Sequence, residues 1–152
     1  MAVKEFLKRS SFIELLGYAG LLPFAIALVM SVLGMAEGIR LFDAYSAMIL
    51  AFMAGSCWGV AQSHHERAGY VSPSVAIVVF LWALAAWWFV AWLGQMTTLV
   101  GLLIGYVALF VLEQRELYRH AYSSSYKKLR RNLTLFVSGF HVVMILILGN
   151  GV

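Results

Sequence analysis

A chain of 152 residues that is 62% hydrophobic and 12% charged, with a mean hydropathy of +0.86, excludes a water-soluble domain. Soluble domains carry about a quarter charged residues, and so small a core cannot hide this many apolar side chains, so they must face lipid. The net charge of +4 resembles a nucleic-acid signal until its placement is considered, and a single cysteine excludes an intramolecular disulfide.

Five apolar runs reach the roughly 20 residues that a hydrocarbon core requires. They fall near 12–34, 42–62, 73–94, 97–114 and 130–149. Transmembrane barrels would need alternating segments of about ten residues, which are missing. The expectation is an all-α, polytopic membrane protein: a five-transmembrane-helix bundle forming one domain over residues 1–152.

The first span is too long for a signal-peptide core and lacks a convincing cleavage site, so it is expected to remain as an anchor. Pro23 in its middle predicts a kink, which either shapes a cavity or accommodates a neighbour. The second span carries small residues four apart, namely Ala47, Ala51, Gly55, Gly59 and Ser63. In lipid, helix association depends on close backbone approach, so this ladder predicts a packing face, within the bundle or across a dimer. Intramolecular packing is the simpler reading. At the end of this span, AFMAGSCWGVAQSHH places Cys57 and Trp58 inside the apolar run and His64 and His65 beyond it.

The third span holds Trp82, Trp87, Trp88 and Trp92. The last two fit an aromatic belt at the interface, and the deeper two fit packing or a pocket wall. The fourth span repeats the small-residue device with Gly101 and Gly105. Glu14, Asp43 and Glu113 fall near span ends and are expected at the interface. The fifth span places His141 near its centre, where a polar side chain calls for a partner.

Arg115, Arg119, Lys127, Lys128, Arg130 and Arg131 cluster in the fourth connection. With Lys4, Lys8, Arg9 and Arg67 they make ten basic residues on one side, against Arg40 alone on the other. The positive-inside rule therefore puts the N-terminus in the cytoplasm (or the matrix) and the C-terminus outside. The charge is thus topological and argues against nucleic acid. The same cluster should contact anionic lipid headgroups, at about 1 kcal/mol per charge.

Three fragments carry a resemblance: GYAGLLPF at 17–24, YSAMILAFMAGSCWG at 45–59 and YKKLRRNLTLFV at 126–137. In this order and spacing they resemble an uncharacterised domain-of-unknown-function family of small bacterial and mitochondrial inner-membrane proteins, which includes mitochondrial transmembrane protein sixty-nine. In that pattern the residue before Trp-Gly is often His, where this chain has Cys57, and an Asp ends the fourth helix where this chain has Glu113. The resemblance implies a bacterial inner (plasma) membrane location, or the mitochondrial inner membrane in a eukaryote, and no established activity. The tryptophan-rich sensory, or translocator, family is similar in span number and tryptophan content. Its proline-and-tryptophan signature is missing, since the prolines are Pro23 and Pro73 alone.

No phosphate-cradling glycine loop, CxxC, HExxH or nucleophile elbow occurs, so no catalytic residues and no metal site are expected. Two functional readings lead, with an enzyme acting on a lipid a distant third. The first is a non-enzymatic accessory or assembly factor acting through helix–helix contacts with a membrane-protein partner or a second copy. The alternative is a binder or carrier of a quinone, porphyrin, lipid or metal, with a pocket near Pro23, Cys57, Trp58 and His141. Counting residues from the span centres puts Cys57 roughly 7 Å from the depth of His141, compatible with one shared polar pocket.

Overall fold

A computed structural model describes residue 12 and residues 14–64, 71–115 and 121–150. Helices are the regular elements of these residues: α1 (Leu22–Val32), α2 (Ala36–Ser63), α3 (Val71–Trp88), α4 (Val90–Leu93), α5 (Gln95–Glu113) and α6 (Ser124–Gly149). Five stretches are long and apolar enough to cross a membrane, namely Glu14–Val32, which contains α1, and then α2, α3, α5 and α6. The protein is an all-α polytopic bundle.

Two helices start well before their apolar windows, α2 at Ala36 rather than 42 and α6 at Ser124 rather than 130. Polar residues at headgroup depth lower hydropathy but keep their helical hydrogen bonds, so hydropathy marks the hydrocarbon-facing part alone. The start of α6 is fixed by a cap, with Ser123 Oγ accepting from the Tyr126 N–H at 3.2 Å. The third span ends at Trp88, and Phe89 separates it from the single turn of α4. Gly94 then reverses the chain with φ of 78°, where a side chain would be strained. Its carbonyl accepts from both the N–H and the hydroxyl of Thr98, at 3.1 and 3.0 Å.

Pro23 does not bend a continuous helix. It stands in the first turn of α1, directly after a turn at Gly20 and Leu21. Proline lacks the N–H and crowds the carbonyl four residues back, so the chain restarts there as a new helical segment. Tyr45 of α2 donates to the Gly20 carbonyl at 2.9 Å and ties the break to the bundle.

α2 lies centrally, in contact with α1, α3 and α5. α6 closes the ring by packing on α5 and α1. At the α1–α2 crossing a Cβ on Gly38 would stand 2.6 Å from the Ser31 nitrogen, so the two backbones meet there only because the residue is glycine. α2 and α3 pack on each other, and the buried residues of α2 include Ala47, Ala54 and Ala61 and those of α3 include Ala76, Ala83 and Ala86. These short side chains permit the close packing that replaces a hydrophobic driving force in lipid. α5 meets its neighbours through glycine as expected: Trp82 Nε1 donates to the Gly101 carbonyl at 2.8 Å, and Gly105 lies under Leu50 and Trp82. Trp87, Trp88 and Trp92 remain exposed on the surface that faces lipid.

Candidate functional site

Polar groups at membrane depth gather at two levels, both bridging α2, α5 and α6. At the first, His141 is wholly buried among the rings of Phe42, Tyr106 and Phe24. Its Nδ1 lies 2.8 Å from the Val137 carbonyl, which can only accept, so Nδ1 carries the proton. Nε2 then accepts from the Ser46 hydroxyl at 2.8 Å. Tyr106 donates to the Ser46 carbonyl at 2.9 Å, so three helices meet in one hydrogen-bonded set. A hydroxyl on an imidazole oriented by a carbonyl is the geometry of an activated nucleophile. Here Ser46 and His141 are both 0% exposed, and neither lines one of the clefts described below. The arrangement satisfies a costly buried histidine and fixes the register of α2 against α6.

At the second level, Arg130 of α6 meets Glu113 at the end of α5. Its Nε and Nη2 both lie 2.6 Å from Glu113 Oε1. Nη2 also reaches the Met53 carbonyl at 3.3 Å and Ser56 Oγ at 3.4 Å, and Ser56 donates to the same carbonyl at 2.7 Å. The Cys57 thiol donates to Glu113 Oε1 at 3.3 Å. Glu113 and Arg130 are each 8% exposed and Cys57 is 0% exposed, so this is a buried ion pair rather than a solvated interfacial one. Such pairs lose most of their Coulombic gain to desolvation unless further hydrogen bonds complete them, as Met53, Ser56 and Cys57 do here.

The sequence-predicted residues are redistributed accordingly. Cys57 and His141 do not share a pocket, because Cys57 belongs to the Glu113–Arg130 level and His141 to the Ser46 level. Ser46 and Cys57 are eleven residues apart on α2, or about 16 Å along the axis. Trp58 points outward at 42% exposure, and Pro23 touches neither level in any recorded hydrogen bond. Asp43, expected at the interface, is 3% exposed, and its Oδ1 has no hydrogen-bond partner among the described residues. Of the basic cluster, Arg130 turns inward, Lys127, Lys128 and Arg131 lie on the first turns of α6, and Arg115 is exposed past α5. Arg119 and His65 lie outside the described residues. His64 is exposed, with Nδ1 3.2 Å from the Val60 carbonyl. Among the described residues no three His, Cys, Asp or Glu side chains group as metal ligands.

The small-residue ladder of α2 also divides. Ala47 is buried and Ala51 packs against the core from a half-buried position. A Cβ on Gly55 or Gly59 would meet no described atom within 4 Å, and Ser63 is exposed with its hydroxyl on the Gly59 carbonyl. Gly55 and Gly59 thus pack against none of the described residues of other elements, unlike Gly38, Gly101 and Gly105.

Two clefts touch Arg130. One, of about 380 Å³, lies between the end of α5 and the start of α6 and is rich in Lys and Arg. The other, of about 180 Å³, is apolar and lies among the first span, α2 and α6, with Leu16, Phe24, Phe52 and Leu133 in its walls. Tyr122 lines the first cleft, its ring tilted by 53° against that of Tyr126 with ring centres 4.7 Å apart. Burial holds its phenol above the usual range, so it stays a neutral hydroxyl.

Five apolar spans around a closed polar interior define a multi-pass α-helical membrane protein. The chain belongs to the family described as "Protein of unknown function (DUF3429)", whose profile matches residues 10–146. No curated protein and no solved structure matches it.

The buried Glu113–Arg130 pair had a faint sequence signal. A glutamate closing one span and an arginine opening the next invite pairing across the connection between them. The Ser46–Tyr106–His141 set had none beyond the cost of a central histidine.

Proposed function

We propose that this protein is a non-enzymatic accessory or assembly factor of a bacterial plasma membrane or a mitochondrial inner membrane. In this reading its N-terminus is cytoplasmic (or in the matrix) and its C-terminus outside. It acts by receiving a transmembrane helix of a partner membrane protein on the outer face of α2. The observation that carries this reading is the open backbone at Gly55 and Gly59 beside two protruding side chains, Met48 and Phe52, 63% and 72% exposed. Glycines lower the stability of a helix by up to about 1 kcal/mol each relative to alanine, so a pair left uncovered on a lipid-facing surface costs stability without return inside the chain. A partner helix would recover it, because small residues four apart let two backbones approach and the flanking side chains interlock. The interior is consistent with this reading, since Ser46 and His141 are wholly buried in a hydrogen-bonded set and the Cys57 thiol donates to Glu113.

The test is the mass of the detergent-extracted complex by native mass spectrometry. Wild type should carry a second kind of chain, and Gly55→Leu with Gly59→Leu should release it while thermal stability stays unchanged. A wild-type monomer, a complex of this chain alone, or an assembly indifferent to both substitutions would overturn the reading.

A further inference from the structure

The cleft of about 380 Å³ between α5 and α6 gathers exposed basic side chains around the buried Glu113–Arg130 pair. One wall is a single face of α6, because Ser124, Lys127, Lys128 and Arg131 follow the i, i+3, i+4, i+7 spacing that brings side chains together on a helix. The facing wall is the end of α5, with Phe110, Glu113 and Gln114. Arg130 forms part of the lining, and its charge is met by Glu113 at 2.6 Å. With that pair cancelling, Lys128 and Arg131 leave the described lining with two positive charges beside Lys127, and no further carboxylate lies among its described residues. Ser124 and Gln114 add neutral donors, so the cleft offers both charge and directed hydrogen bonds to an anion with several acceptor oxygens. Its depth is also informative: Phe110 is its apolar end, and the lysines lie where α6 leaves the apolar window.

We propose that this cleft binds one phosphate-bearing anion, with the phosphate oxygens held by Lys128 and Arg131 and the less polar part of the ligand against Phe110. A lipid phosphodiester and a soluble phosphate share that chemistry, and the lipid is the source already present at this depth. The site differs from diffuse headgroup attraction in being saturable at one ligand and in depending on particular positions. It does not rest on the α2 face or on any partner helix.

The experiment uses the full chain in neutral detergent, titrated with dihexanoyl phosphatidylglycerol, dihexanoyl phosphatidylcholine and inorganic phosphate. One phosphatidylglycerol should bind per chain, with phosphatidylcholine much weaker. Competition by inorganic phosphate would assign a soluble ligand, and its failure to compete would assign the lipid; either result supports the site. Lys128→Gln with Arg131→Gln should weaken binding about 30-fold, from about five-fold for each charge near the surface. Gln114→Glu, which places a negative charge in the opposite wall, should abolish saturable binding without loss of fold. Arg115→Gln, outside the cleft, should change affinity less than about two-fold. The proposal is overturned if neither anion saturates at one per chain, if phosphatidylcholine binds as well, or if Arg115→Gln is as costly as either cleft substitution.

Discussion

Arg130 and His141 stand eleven residues apart on α6, close to three helical turns, and so lie on the same face. Ser46 and Cys57 have the same separation on α2, and the two helices run antiparallel in the bundle. His141 therefore meets Ser46 at one depth, while Arg130 meets Met53, Ser56 and Cys57 at the other. Two polar levels, about 16 Å apart, fix the sliding register of α2 against α6. Apolar packing alone would leave that register loose, because lipid chains are as apolar as leucine.

The lower level should behave as a unit. Arg130→Met or Glu113→Gln alone should each destabilise the protein by about 3–5 kcal/mol, because either leaves a buried group unpaired. The double replacement Glu113→Leu with Arg130→Met should recover most of that loss. Unfolding in detergent measures both, and a double variant as unstable as the sum of the singles would refute the coupling.

At the upper level, His141→Leu should cost about 1–3 kcal/mol by leaving the Ser46 hydroxyl unpaired. Ser46→Ala should cost less, about 1 kcal/mol, and the pair should be non-additive by a comparable amount. Strict additivity in a double-mutant cycle would mean that the 2.8 Å contact contributes nothing to stability.

Glycine substitutions should rank by space, not by motif. Gly38→Ala places a Cβ 2.6 Å from backbone, and Gly105→Ala places one 2.5 Å from Leu50 Cδ2, so each should cost about 1–3 kcal/mol. The leucine at Gly105 can shift, which makes Gly38→Ala the worse of the two. Gly55→Ala and Gly59→Ala should be neutral or stabilising by up to about 1 kcal/mol in the isolated chain. Thermal denaturation of the purified variants settles the order, and an equal loss at Gly59 would place an unseen contact there.

Asp43 should tolerate loss of its carboxyl group. A buried carboxyl oxygen without a partner costs stability, so Asp43→Asn should leave the protein as stable or more so. A clear loss in the same denaturation assay would show that the carboxyl has a partner that asparagine cannot replace.

Orientation is testable separately. Alkaline phosphatase fused after Val152 should be active and the same reporter fused after Arg115 inactive, as ten basic residues against one predict. The reverse pattern would overturn the charge argument.

Composition and hydropathy alone determined the class and the five spans, because transfer of side chains into lipid depends on local sequence and on little else. The glycines of α5 were legible for the same kind of reason, since GLLIG can only help two backbones meet. Where the helices begin was not legible, because the polar first turns of α2 and α6 look like loop by hydropathy. That error moved the centre of each helix, and with it the depth at which Cys57 was matched to His141. Which glycines of α2 pack was equally hidden, since period four marks a face but not what lies opposite it. The tertiary structure decided these points by direction: Gly38 faces α1, Gly55 and Gly59 face outward, and Arg130 turns from the headgroups toward Glu113. Each depends on the rotation of one helix against another, a quantity set by the sum of weak contacts over the bundle and by no single residue.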